Sequence, residues 1–202
     1  MKPFYERYWE HEEVLEDFSY KWPIIKKQIP HNKKIKILDF GCGKGKMFGE
    51  ILKMNPNADL VGVDVSEKAI SFIKKKFPKQ KFKKIEEGSI LPLTTNTFDF
   101  IIASDVLEHI YDTELIFSEI ARILKPGGKI LISVPYNGRI KNVIITLFFY
   151  ESVFDPYSPH IRFFSKKSLQ GCLEKVNLKS QRWGYYGRFF PISNGMFVVA
   201  EK

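Results

Sequence analysis

Leu38-Asp39-Phe40-Gly41-Cys42-Gly43-Lys44-Gly45 runs out of an apolar stretch into three glycines at alternate positions, and a helix-compatible segment, Lys46 to Met54, follows at once. Glycine reaches backbone conformations closed to other residues and lets a ligand approach the main chain closely. In α/β sheets a strand, a tight loop and a helix in that order mark the ligand-binding end of the sheet. Outward from this point the alternation continues. Leu60-Val61-Gly62-Val63-Asp64-Val65 reads as a second strand, and Ser66 is placed to cap a helix reaching Phe77. Phe82 to Ile85 reads as a third strand and Phe98 to Ala103 as a fourth, after which Asp112 caps a helix reaching Leu124. Lys125-Pro126-Gly127-Gly128 is expected to turn the chain into a fifth strand, Lys129 to Pro135.

Strands apolar on both faces that alternate with helices specify a parallel sheet covered on both sides. The last third differs. Ser165 caps a helix through Val176, and Leu178 to Tyr186 and Gly195 to Glu201 then read as two strands with no helix between them. The expected fold is therefore α/β: a Rossmann-like, doubly wound, seven-stranded sheet, mostly parallel with an antiparallel closing strand. One domain over residues 1–202 is expected. Residues 1–30 form an N-terminal helical flap broken at Pro23, and residues 136–164 an insertion on the acceptor side.

The 202 residues are enough to bury a core without disulfide or metal staples. Cys42 and Cys172 are the two cysteines and lack metal-ligand spacing, so a reducing, cytoplasmic location is expected. The most apolar run, Val143 to Tyr150, falls far short of the ~20 residues a membrane-spanning helix needs. The acid-rich start, with Glu10, Glu12, Glu13, Glu16 and Asp17, does not read as a signal peptide. The net charge of +9 permits an anionic partner without selecting one.

The loop chemistry narrows the ligand. Asp64 ends the second strand, where a carboxylate can accept both hydroxyls of a ribose. Pyrophosphate-binding loops space glycines as G-x-G-x-x-G, whereas here Lys46 holds the third position and Asp39 precedes the first glycine. A carboxylate there disfavours pyrophosphate and attracts a cationic ligand, directly or through water. S-adenosylmethionine, with a sulfonium, an ammonium and no phosphate, satisfies that charge pattern.

With LDFGCGKG (38–45), VGVDVSEKAI (61–70), GSILPL (88–93), FDFIIASDVLEHI (98–110) and RILKPGGKILISVP (122–135) in this order, the chain resembles the class I S-adenosylmethionine-dependent methyltransferases, and within them the type 11-like members that O-methylate quinone precursors. The resemblance implies that Gly41 and Gly43 line the amino-acid end of the cofactor, with Cys42 between them as a small buried spacer. It further implies that Asp64 holds the ribose, Val65 packs on adenine, Ser89 and Ile90 flank the adenine amino group, and Ser104 approaches the methionine moiety.

Methyl transfer from a sulfonium is a direct displacement, so alignment and exclusion of water dominate, and a neutral acceptor also needs a proton acceptor. Asp105, Glu108 and His109 follow strand four, and a helical turn from Asp105 would put all three on one face. The resemblance adds His160, in a segment that borders the acceptor pocket. Asp105, His109 and His160 are the catalytic candidates. Two carboxylates and an imidazole also resemble half of a divalent-metal site, with His160 a distant fourth ligand, as in metal-dependent relatives; plain packing of Leu107-Glu108-His109 against the cofactor is the other reading, and no metal is assigned. Tyr136, after strand five, is a further pocket-lining candidate, and Tyr5, Tyr8 and Trp9 belong to a helix that in this family folds over the cofactor.

The implied acceptor is a hydroxyl or other nucleophile on a small or lipid-like molecule. Residues 140–150 either offer an apolar face for peripheral membrane contact or pack on the domain or across a dimer. Residues 74–84 hold seven lysines, which a nucleic-acid partner would use; a solvated face is favoured, because they fall at the amino ends of the strands. RNA methylation and a non-catalytic cofactor-binding scaffold stand as the alternatives.

Overall fold

The computed structural model describes residues 18–31, 34–154 and 158–202. After helix α1 (Phe18–Ile25) and a 3₁₀ turn come β1 (Lys36–Phe40), α2 (Lys46–Met54), β2 (Asp59–Asp64), α3 (Glu67–Lys76) and β3 (Lys81–Lys84). The chain continues as β4 (Phe98–Ser104), a 3₁₀ turn (Leu107–His109), α4 (Thr113–Ile123), β5 (Leu124–Pro135), α5 (Arg139–Phe148), α6 (Tyr150–Val153), α7 (Lys166–Lys175), β6 (Lys179–Tyr186) and β7 (Gly195–Glu201). The seven strands lie in the order β3-β2-β1-β4-β5-β7-β6. β1 to β5 pair in parallel, while β7 slots antiparallel between β5 and β6. β1 has β2 on one side and β4 on the other, so the glycine loop leaves the sheet at its topological switch point.

The burial follows from the sequence alternating over two covered faces. Leu38, Phe40, Ile101 and Ala103 face α4 and α7, where Phe117, Ile120, Leu169 and Leu173 close the core. Ile37, Phe100 and Ile102 face α2 and α3, against Phe48, Ile51, Ile70 and Ile73. Each fully buried side chain of this size contributes ~1.5–3 kcal/mol by leaving water. The three expected caps are present: Ser66 accepts from Ala69 N–H, Asp112 from Leu115 N–H, and Ser165 forms a reciprocal box with Ser168.

Two local expectations are corrected. Pro23 lies inside α1 and does not break it, because Ile25 and Ile29 are buried against the second face and hold the segment down. Lys125 to Gly128 is counted within β5 although Gly127 takes φ +73°, since Gly127 N–H donates to the Lys202 carbonyl and Lys202 N–H to that of Gly128. The register of β4 and β5 shifts there between Phe98 and Phe100. Tyr5, Tyr8 and Trp9 lie outside the described residues.

Candidate active site

The loop after β1 is drawn tightly onto β2. Gly41 and Cys42 N–H both donate to the Val63 carbonyl, at 2.8 and 3.0 Å, and Gly45 N–H closes onto the Cys42 carbonyl. Gly41 sits at φ +76°, and a Cβ on it would fall 2.3 Å from a Val106 methyl, so both backbone and space demand glycine. Asp64, buried at the end of β2, accepts Gly43 N–H through Oδ2 and Ser66 N–H through Oδ1, each at 2.9 Å. Its carboxylate is thereby held at the rim of the loop. Cys42 is buried, with its sulfur 2.9 Å from where a Cβ on Gly62 would stand, and burial pushes its thiol well above the ordinary range.

Asp39 is the charged anomaly. It is buried near the end of β1, and its Oδ2 has no hydrogen-bond partner among the described residues. Burial, and then the neighbouring Asp64, raise its carboxyl to about 7. An orphaned buried carboxyl beside a glycine cradle fits a cationic ligand group. Beyond Asp64, Phe40, Val65, Ile85, Leu91, Ile110 and Ile116 wall an apolar cleft, with Ser89 and Asp112 on its edge. Ser89 donates to the Glu86 carbonyl at 2.8 Å, whereas Ile90 is 71% exposed and does not line the cleft.

The residues after β4 separate into two groups. Ser104 shares a 2.7 Å hydrogen bond with Ser133. Asp105 takes φ +54°, and its carboxylate receives the Lys21 ammonium and, at 3.3 Å, the Tyr186 hydroxyl. The expected single face of Asp105, Glu108 and His109 is therefore corrected: a left-handed residue followed by a 3₁₀ turn removes the helical spacing that would align them. In its place Glu108, His109 and His160 come together, one ligand atom of each within 4.8 Å of the others. His109 and His160 rings stand 4.9 Å apart, and His109 Nε2 lies 3.9 Å from Glu108 Oε1. The Ile161 and Arg162 N–H groups donate to the Glu108 carbonyl, which brings the His160 loop here.

The cluster's protonation follows from its burial. Glu108 is 1% exposed, its carboxyl oxygens have no hydrogen-bond partner among the described residues, and desolvation raises it to about 7. Burial lowers His109 to about 4 and also lowers His160. His109 Nδ1 lies 3.0 Å from the Pro159 carbonyl; a carbonyl only accepts, so the proton sits on Nδ1 and the lone pair on Nε2. A neutral imidazole and a carboxyl of this strength can accept a proton or, together with His160, ligate a cation.

Tyr136 is buried against Tyr185 and Phe190. α5 turns Ile140, Val143, Leu147 and Phe148 to solvent and buries Ile145. The lysine-rich stretch covers the end of α3 and the edge strand β3, where Lys81 pairs with Asp59, Lys84 with Glu86, and Lys83 donates to the Pro92 carbonyl. Lysines on an edge strand also oppose strand-to-strand aggregation. Sequence reasoning missed Lys21 altogether and did not count Glu108 among its catalytic candidates; the orphaned Glu108 oxygens exist only in three dimensions.

A family model described as a methyltransferase domain matches residues 8–181. A probable S-adenosylmethionine-dependent methyltransferase of Mycolicibacterium smegmatis is 31% identical over 101 residues, 49% of this chain and 37% of that protein. The human mitochondrial ubiquinone biosynthesis O-methyltransferase is 30% identical over 158 residues, 73% of this chain and 42% of that protein. The chain thus spans less than half the length of these curated relatives. Among solved structures, a chain of the Haloferax volcanii complex between the Trm112 methyltransferase activator and a methyltransferase superposes with TM-score 0.79 at 14% identity, covering 100% of this chain and 98% of that one. An S-adenosylmethionine-dependent methyltransferase of Methanosarcina mazei gives TM-score 0.68 at 21% identity, over 89% and 97%.

Proposed function

The chain belongs to the S-adenosylmethionine-dependent methyltransferase family, and we propose that it methylates a hydroxyl group of a small or lipid-like molecule, with Glu108, His109 and His160 receiving the acceptor. The cofactor supplies an electrophilic methyl on a sulfonium. The residues present fit it: Asp64 for the ribose, the cleft beside Val65 for adenine, and Asp39, with its orphaned oxygen, for the cationic amino-acid end. The acceptor hydroxyl lies against the Glu108–His109–His160 cluster, and its proton passes to the Glu108 carboxylate or to His109 Nε2. A carboxyl near 7 is matched to that task at neutral pH, and Pro159 fixes the imidazole's tautomer. Asp105, engaged by Lys21 and Tyr186, takes no part in the proton transfer.

The observation that carries this reading is the buried Glu108 carboxyl, without a hydrogen-bond partner among the described residues, beside His109 and His160. The outward apolar face of α5 supports a lipid-like acceptor, or a membrane surface as its source. The human relative's name, which places it in ubiquinone biosynthesis, agrees with an acceptor of that class. A divalent cation on Glu108, His109 and His160 is the second reading, favoured by the same unpartnered oxygens.

Incubation with methyl-labelled S-adenosylmethionine and cell extract tests the proposal. Label in the organic phase is the expected result. Nuclease-sensitive label would transfer the assignment to RNA, and bound cofactor without any label would make the chain a binding protein. Transfer that persists through chelation removes the cation reading and leaves the proton-transfer reading.

A further inference from the structure

The amphipathicity of α5 is inverted for a helix lying on a folded domain. Ile140, Val143, Ile144 and Leu147 follow the i, i+3, i+4, i+7 spacing of one helical face, and that face is exposed. Lys141 points inward instead. Its ammonium donates to the carbonyls of Tyr136, Ser193 and Asn194 at 2.8, 3.1 and 3.2 Å, which ties the start of α5 to the β6–β7 connection. That connection presents Arg188, Phe189 and Phe190 to solvent, the two phenylalanines 75% and 59% exposed. The Phe190 ring lies 6.2 Å from that of Tyr136, just ahead of α5. Beyond α5, the rings of Tyr150, Phe154 and Phe163 follow one another at 5.1 and 5.6 Å into the loop that carries His160. One apolar surface thus runs from the β6–β7 tip, across α5, to the His160 loop.

We propose that α5 and the β6–β7 tip form one docking face for a bilayer containing anionic phospholipid. Large contiguous apolar patches on a folded domain mark interaction surfaces, and the charges around this one select what covers it. Residues 136–154 and 187–195 hold a single acid, Glu151, against Arg139, Lys141 and Arg188. With Lys141 turned inward, the exposed cations are Arg139, at the start of α5, and Arg188, at the tip. A second copy of the chain on this face would bring two positive surfaces together. An anionic bilayer instead receives the guanidiniums at its phosphates and the apolar stripe at the acyl boundary. A helix of ten residues cannot cross a membrane, so α5 lies in its plane. The inference rests on the lipid-like acceptor reading for its purpose, and it names the source: docking brings the His160 loop to the bilayer, so an embedded acceptor reaches Glu108, His109 and His160 from there.

Cosedimentation of the full chain with vesicles of phosphatidylcholine alone, or of phosphatidylcholine mixed with phosphatidylglycerol, tests this without cofactor or acceptor. The native chain is expected to bind the mixed vesicles roughly tenfold more tightly or better. Phe189→Ser should weaken that binding by about tenfold. Arg188→Gln should weaken it by about fivefold and leave binding to the neutral vesicles unchanged. Both side chains are exposed, so neither variant should shift the melting temperature. Undiminished binding by Phe189→Ser would assign the attraction to the lysines of residues 74–84 and overturn the proposal. A native chain that ignores both vesicles would overturn it as well. So would a native dimer that Phe189→Ser dissociates in sedimentation velocity, which would give the face to a second copy. Docking to the mixed vesicles without labelled lipid in the transfer assay would uphold this inference and overturn the lipid-like acceptor reading.

Discussion

His109 turns its Nδ1 to the carbonyl of Pro159, 3.0 Å away and fifty residues further along the chain. That contact leaves Nε2 facing Glu108 and seats the His160 loop beside both, so one backbone carbonyl sets the tautomer of the imidazole and the composition of the cluster.

His109→Ala should lower turnover by about 10²- to 10⁴-fold while S-adenosylmethionine affinity stays within about threefold. Steady-state kinetics on the acceptor found by labelling, together with calorimetry, separate the two quantities. A matching loss in both would mark His109 as a cofactor contact.

Glu108→Gln should stabilise the ligand-free chain at pH 8 and not at pH 4. The folded carboxyl titrates at about 7, above its ordinary value of 4.5, so the folded state binds the extra proton between those pH values. Its stabilising contribution is complete below the unfolded value and is lost as pH rises through about 7. A neutral amide escapes that loss, which is on the order of a few kcal/mol. Thermal melts across this range should show the variant's advantage growing with pH; a constant offset would contradict a carboxyl raised by burial.

Asp64→Ala should weaken cofactor binding more than tenfold. It removes the proposed ribose acceptor, and it also strips Gly43 and Ser66 N–H of their partner, at roughly 1–3 kcal/mol for each donor left unsatisfied. The melting temperature should therefore fall together with the affinity. Unchanged affinity would sink the ribose assignment.

Gly41→Ala should cost about 2–4 kcal/mol, combining a left-handed backbone penalty with overpacking against Val106. Val106→Ala in the same chain relieves the steric part. Denaturant unfolding of the single and double variants should show that rescue.

Leu147→Glu on α5 should leave cofactor affinity unchanged and reduce turnover of a lipid-like acceptor, because this side chain is exposed on the apolar face of α5. Equal turnover of the two proteins on the extracted acceptor would detach α5 from acceptor binding.

The alternation of strands and helices, the glycine loop, the acid ending β2 and the caps at Ser66, Asp112 and Ser165 were all legible, because each rests on neighbours within a few residues of chain. The site after β4 was legible only in part. Asp105, Glu108 and His109 are close in sequence, but regular helical spacing predicts a single face that the left-handed Asp105 abolishes. Ile90 was placed on the cleft by resemblance and stands in solvent, since a motif position does not determine where a loop side chain points.

Hydrophobic periodicity and glycine placement determined by themselves that this chain forms a doubly wound sheet with its loop at the switch point, since covering both faces of a parallel sheet leaves few other solutions. Only the tertiary structure decided that β7 inserts between β5 and β6, that Lys21 crosses to Asp105 over 84 residues, and that His160 completes a cluster with Glu108 and His109. Such pairings depend on which buried charges and unpartnered polar groups meet once the core has closed, and the desolvation that shifts Asp39, Glu108 and His109 does not exist until it has.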